Sequence, residues 1–307
     1  MDAARQLARY NARMGLFDTL GFKWDRDSVP QELPRVSLER VVFRFHRMLP
    51  EYVWDAGVLE GNPLTFPEVK TLLEGVAVAG GKLSDQEQIL SLGEGFKRLL
   101  SLVKKREFKL GKSAFCSLHA LVARNGVRES EDFRREGWDG RFATDLATSE
   151  REGYGPVTIE SSAVRLDQLF SSGVHSLERD LANPFERALA FFLFGALHQF
   201  FLKGNKRAAS LMMNGVLMME GLDAVSIPAI RAAEFNSRMT NFYASRDANE
   251  MMAFVLDCHP EISLIRQQNP GLPTIEGLPQ IKYFRFDDSR FDDSIKNNDR
   301  DSPALHA

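Results

Sequence analysis

The sequence predicts a mainly α-helical fold with one short β element, and three observations lead there. Capping residues stand in front of apolar runs whose members recur every three or four positions. One such run, ALAFFLFGAL at Ala188–Leu197, is apolar nearly all round and reads as a central buried helix. Against these, Val157, Thr158 and Ile159 make one short β-branched run, read as a brief strand or hairpin.

In chain order, MDAARQLARYNARMGLF opens with an Arg-bearing helical pattern. Ser37 precedes LERVVFRFHRML, and Pro50 is expected to stop that helix. Thr65 with Glu68 forms a capping box ahead of a helix closed by Gly75, and Ser84 with Glu87 is read as another, ahead of a helix running to about Lys105. A helix spans Ser113 to Arg124, and the charged, Gly-containing stretch from Gly126 to Gly155 reads as a long loop. Two short helices are expected at Ser162–Phe170 and Ser176–Leu181. Asn183 caps the apolar helix, with Pro184 in its first turn and Glu186 complementing its positive end. After the interruption QFFLKGN, KRAASLMMNGVLMMEG resumes helical spacing until Gly221. Beyond about Pro260 the apolar period fades, and the two FDDS copies and polar remainder have the composition of a flexible tail.

Composition narrows the function. The balance of 39 basic against 42 acidic residues gives a charge of -3, with no global electrostatic footprint for DNA or RNA. Two cysteines, Cys116 and Cys258, are too few for a disulfide scaffold or a Cys-rich zinc site and suit a reducing compartment. No apolar run approaches the roughly 20 residues a membrane helix needs, and the start lacks a leader's apolar stretch. A cytoplasmic protein without membrane or nucleic-acid partners is expected.

The informative feature is GNKR at residues 204–207, placed at a helix N-terminus directly after the buried helix. Such an end exposes unpaired N–H groups and a partial positive charge, a ready receptor for phosphate. Gly204 allows close backbone approach, Asn205 can cap or donate, and Lys206 and Arg207 add cations. Cations are disfavoured at a helix N-terminus, which argues for an anion between them. The alternative is a plain cap with a solvated first turn.

HQFFLKGNKRAAS, residues 198–210, resembles the signature of the Fic/Doc (Fido) family, HxFx(D/E)GN(G/K)RxxR. VLEGNPLTFPEVKTLLEG, about 140 residues earlier, looks like that family's regulatory helix. The resemblance runs loosely from about Ser37 to Pro260. It implies a mainly α, Fic-like helical core with a short β-hairpin flap and an N-terminal helical extension. The divisions are residues 1–110 with the regulatory helix, 111–260 as core and 261–307 as flexible tail. The implied activity is transfer of AMP from ATP to a Tyr, Ser or Thr hydroxyl of a target protein. Gly204 and Asn205 would face the phosphates, Arg207 would hold them and Phe201 would anchor the loop. Val157, Thr158 and Ile159 would form the flap that docks the target, and Glu60 would be the inhibitory carboxylate.

Three positions depart from the pattern. Gln199 stands at the histidine position, Lys203 at the acidic metal-holding position and Ser210 at the second arginine. Gln cannot accept a proton at neutral pH and Lys cannot offer oxygen to Mg²⁺, so Mg²⁺ is in doubt while ATP remains the implied cofactor. His198, one residue away, is the candidate base, with a non-catalytic histidine as the other reading. Lys203 could act as an ammonium clamp on phosphate. Lys206 resembles the Doc pattern, associated with phosphate transfer. Ala56 stands where Ser or Thr is usual, four residues before Glu60, which could meet Arg207 or Lys203. Two functional classes stay open: a protein adenylyltransferase with an altered loop, including its phosphate-transferring variant, and a Fic-fold pseudoenzyme that binds or regulates.

Overall fold

The structure, a computed structural model, describes residues 15–124, 133 and 163–273. The flap residues Val157, Thr158 and Ile159, the 126–155 loop, the N-terminal pattern before residue 15 and the FDDS tail lie outside them. The described residues form twelve α-helices and short 3₁₀ turns, with one isolated bridge, Lys23 to Asp247, and no strand.

The helices are α1 (Leu16–Leu20), α2 (Leu38–Arg47), α3 (Leu49–Leu59), α4 (Phe66–Leu73), α5 (Leu83–Lys104) and α6 (Lys112–Val122). Then come α7 (Ala163–Asp180), α8 (Pro184–His198), α9 (Asn205–Met219), α10 (Ala232–Ser245), α11 (Asn249–Asp257) and α12 (Ile262–Gln268). Several boundaries follow the capping chemistry. The Ser37 hydroxyl accepts from Arg40 N–H, the Thr65–Glu68 box forms in full, and Asn183 accepts from the N–H groups of Phe185 and Glu186. Gly221, at φ +74°, follows α9, where a Cβ would come within 2.5 Å of the Val36 carbonyl oxygen.

Four expectations are corrected. Pro50 does not stop a helix; Met48 closes α2, and Pro50 falls in the first turn of α3, where its missing N–H has no intrahelical role. Ser84 does not cap α5, which starts at Leu83 after Lys82 without a side-chain cap. The two helices expected between 162 and 181 are one, α7, because Gly173 serves packing and not termination. A Cβ there would fall 2.3 Å from Phe194 Cζ. Finally, the fold continues past Pro260, since α12 buries Ile265 completely and Asn269 donates to the Glu32 carbonyl.

At the centre α8 and α9 lie side by side, the most extensive helix pairing in the fold. Gly195 makes this approach close, since a Cβ there would meet Ala209 Cβ at 2.9 Å. All of α8 from Ala188 to Leu197 is buried, and α6 and α5 cover α9. The α8–α9 loop is thereby held against the end of α6, facing the end of α3.

Candidate functional site

The loop begins where Gln199 turns left-handed at φ +46° and closes α8. Phe200 and Phe201 then plunge inward, both at most 2% exposed. Gly204 ends the loop as the N-cap of α9 at φ +74°, a conformation glycine adopts freely. Its missing side chain matters twice. No side-chain oxygen caps the first turn of α9, and a Cβ would press on Ala123 Cβ at 3.2 Å and His119 Cδ2 at 3.4 Å.

Asn205 braces the loop from within. Its Oδ1 accepts from Phe201 N–H at 2.9 Å, and its Nδ2 donates to the Phe201 carbonyl at 2.7 Å. That side chain is thus committed to the chain itself, and the donors turned outward at the helix end are backbone N–H groups.

His119 braces the loop from beneath, a residue sequence reasoning missed. Its ring stacks on Phe201, centroids 3.6 Å apart and planes 4° from parallel. Its Nε2 donates to the Lys203 carbonyl at 2.8 Å. Burial holds the imidazole down to about 4, against the opposing effect of that hydrogen bond and with the help of the nearby Arg207 charge. A neutral, Nε2-protonated ring is the form that fits. A signal was present: His119 lies four residues after Phe115 and three before Val122, on the buried face of α6.

Arg207 sits in the first turn of α9, its side chain only 8% exposed. Its Nη1 donates to the Val122 carbonyl at 2.6 Å, so the guanidinium also closes the C-terminal end of α6, where a cation is favourable. This explains how a cation is tolerated at an N-terminal turn: the end of α6 offsets it. Arg207 Nε lies 3.3 Å from Glu60 Oε2, yet this buried N–H has no aligned hydrogen bond. Glu60 itself is the C-cap of α3. The negative end of α3 and its carboxylate therefore stand opposite the positive end of α9, in the place an anion would take.

Five residues before Glu60, Asp55 anchors α3, another residue that sequence reasoning passed over. Its carboxylate accepts from Ser226 Oγ and Ala229 N–H, each at 2.8 Å. Burial pushes this carboxyl up to about 6 despite those two donors.

Of the other named residues, Lys206 lines a cavity together with Glu60 and Arg207, whereas Lys203 and His198 fall apart from this cluster. Lys203 is exposed and meets it through its backbone carbonyl. Lys206 reaches over the Phe235 ring at 5.8 Å. His198 belongs to a different contact, its Nε2 donating to the Leu20 carbonyl at 2.8 Å with its ring packed between Phe194 and Phe200. Glu60, Gly204, Asn205 and Arg207 are thus brought together, and His198 is not among them. Among the described residues no three His, Cys, Asp or Glu side chains converge as metal ligands, and no helix is long and apolar enough to cross a membrane.

No family model matches the chain. It is 26% identical over 212 residues to the protein adenylyltransferase Fic of Drosophila grimshawi, covering 68% of this chain and 41% of that protein. To the protein adenylyltransferase fic-1 of Caenorhabditis briggsae it is 24% identical over 189 residues, 60% of this chain and 34% of the other. The chain therefore spans less than half the length of these curated relatives. Among solved structures, Fic-1 from C. elegans superposes with a TM-score of 0.58 at 19% identity, covering 87% of this chain and 71% of that one. A Fic domain containing signaling protein from Bacteroides thetaiotaomicron gives 0.56 at 19% identity, over 85% and 98% of the two chains. The helical architecture is that of a Fic domain.

Proposed function

We propose that this Fic-fold chain binds ATP through the α8–α9 loop and transfers AMP to a Tyr, Ser or Thr hydroxyl of a target protein. One observation carries the reading: an uncapped helix N-terminus lies beside a buried arginine whose Nε–H lacks an aligned acceptor. Buried donors are normally satisfied, and one left over beside outward-facing N–H groups fits a phosphate oxygen. Gly204 gives the phosphate close backbone approach. Arg207, held by Val122, neutralises its charge without having to reorganise. The target hydroxyl oxygen bonds to the α-phosphorus of ATP as the bond to pyrophosphate breaks, pyrophosphate leaves and the hydroxyl proton passes to solvent. The low-identity likeness to adenylyltransferases favours AMP as the group moved.

The residues present do not fit a divalent ion at the loop's usual acidic position, where Lys203 offers an ammonium. Glu60 is the regulatory residue of the reading. Its carboxylate opposes a phosphate at Arg207 and must swing away before nucleotide settles.

A specific observation favours a second reading, a nucleotide-binding module without transferase activity. The base position is Gln199, and His198 is engaged at the Leu20 carbonyl. Incubating the chain and a target lysate with ATP labelled on either the α- or the γ-phosphate separates the readings. Label from α alone supports AMP transfer, and label from γ alone indicates phosphate transfer. No label alongside measurable ATP binding assigns the binding module. Unchanged transfer by His198→Ala would remove that residue from the chemistry.

A further inference from the structure

The exposed face of α5 changes sign along its length. Its first half carries Glu87 and Glu94, whereas from Lys97 to Lys109 the chain has six basic residues and one acid, Glu107, in a protein of formal charge -3. Lys97, Arg98, Lys104, Lys105 and Lys109 are all exposed, and none of them forms an ion pair among the described residues. Arg106 has a carboxylate in reach, Glu39 at 3.9 Å, with both side chains mostly exposed. Helix polarity accounts for part of this pattern. Cations favour the last turn of a helix, which covers Lys104 and the C-cap Lys105, but the preference fades within a turn and does not reach Lys97 and Arg98, nor Lys109 beyond the helix.

These cations form a track that starts beside the α8–α9 loop. Glu94, Arg98, Ser101 and Lys105 follow one another at spacings of four, three and four residues and share one face of α5. Glu94 accepts from Arg124 Nη1 at 2.9 Å, and Arg124 stands two residues beyond Val122, whose carbonyl holds Arg207. From Glu94 to Lys105 the helix rises about 16 Å, the length of about five extended residues. We infer that this track docks an extended acidic segment of the partner protein, to one side of the hydroxyl that is modified. The carboxylates of an Asp/Glu run match cations that have no partner of their own, and an extended chain fits a single helix ridge. Bases need aromatic faces to stack on and a bilayer needs apolar side chains to bury, and no exposed large apolar residue lies between 97 and 109. With the step from Arg207 to Glu94 included, the acidic run should fall within about ten residues of the modified hydroxyl.

The placing of the hydroxyl rests on the transferase reading, whereas the docking itself needs neither ATP nor transfer. The test is fluorescence anisotropy of a labelled hexaglutamate peptide titrated with the full chain. The wild type is compared with the double variant Lys97→Glu/Arg98→Glu and with Lys70→Glu, which reverses an exposed charge on α4 outside the track. The wild type and Lys70→Glu should bind alike, and the double variant about ten-fold more weakly, the effect of losing two exposed charge contacts. Raising the salt concentration should weaken binding further. Where the double variant proves misfolded by circular dichroism, Lys104→Glu with Lys105→Glu takes its place. No binding of hexaglutamate, or equal binding by the double variant, overturns the inference. So does tighter binding of a short RNA duplex or of phosphatidylserine vesicles that the double variant loses, which gives the track to nucleic acid or to a membrane. Hexaglutamate binding with no AMP transfer overturns the transferase reading alone, and AMP transfer with no hexaglutamate binding overturns this inference alone.

Discussion

The α8–α9 loop and the N-terminal strap at residues 20–24 are fastened by the same device, a histidine Nε2 donating to a backbone carbonyl at 2.8 Å. In the strap the neighbouring polar groups are closed as well. Lys23 N–H donates to the Arg246 carbonyl, Ala248 N–H donates to the Lys23 carbonyl, and Trp24 Nε1 donates to Glu186. At the loop, Gly204 leaves α9 without a side-chain cap, and Arg207 Nε lacks an aligned acceptor. Two histidines thus do similar mechanical work, but only one supports a segment beside a buried donor that faces a carboxylate without an aligned hydrogen bond.

The largest effect is expected at Asn205. Asn205→Ala removes both bonds to the Phe201 backbone and leaves a buried N–H and C=O unpaired. Urea unfolding should show a loss of about 3 kcal/mol, and ATP binding should disappear with the loop. A loss below about 1 kcal/mol would mean that Asn205 does not brace it.

Next comes Asp55, which holds the helix facing the loop. Its carboxyl titrates near 6, above the ordinary carboxylate range, because burial disfavours the charge. The folded chain therefore holds this proton more tightly than the unfolded one. Its stabilising contribution is full below about pH 4 and is lost as pH rises through 6. The stability difference between wild type and Asp55→Asn should change by about 3 kcal/mol across that window. A flat difference would place the titration elsewhere.

His119→Phe keeps the stack on Phe201 and removes the donor to Lys203. At pH 7 it should cost about 1 kcal/mol and weaken ATP binding. His119 is held down to about 4, so the folded chain resists its protonation. Its contribution is present above the ordinary histidine value of about 6.5 and lost as pH falls towards 4, where the wild type should forfeit its advantage over the variant. The smallest effect belongs to the strap: His198→Phe should cost less than about 1 kcal/mol and leave ATP affinity unchanged. Equal losses of affinity in the two histidine variants would erase the distinction between the regions.

Much of the fold was legible because local rules govern it. Asn183, Thr65 with Glu68, and Gly221 act as caps, and the apolar completeness of Ala188–Leu197 announces burial. What failed was decided by distant partners. The single helix across 163–180 is held by Phe194 lying against Gly173, and α12 has too few apolar residues to show a period, although Ile265 is fully buried. The site divides in the same way. The GNKR turn and its position after a buried helix could be read directly, and Glu60 came with the resemblance to the Fic/Doc regulatory helix. His119 and the Val122 carbonyl reach the loop from about 80 residues away, and only the folded chain shows that α6 supports it.

The central claim is that Glu60 stands in an anion site made by Arg207 and the first turn of α9. Calorimetric titration of ATP into the wild type, Glu60→Gly and Arg207→Ala tests it most directly. Binding should be measurable in the wild type, several-fold tighter in Glu60→Gly and absent in Arg207→Ala. Absence of binding in both the wild type and Glu60→Gly, or undiminished binding in Arg207→Ala, would contradict it.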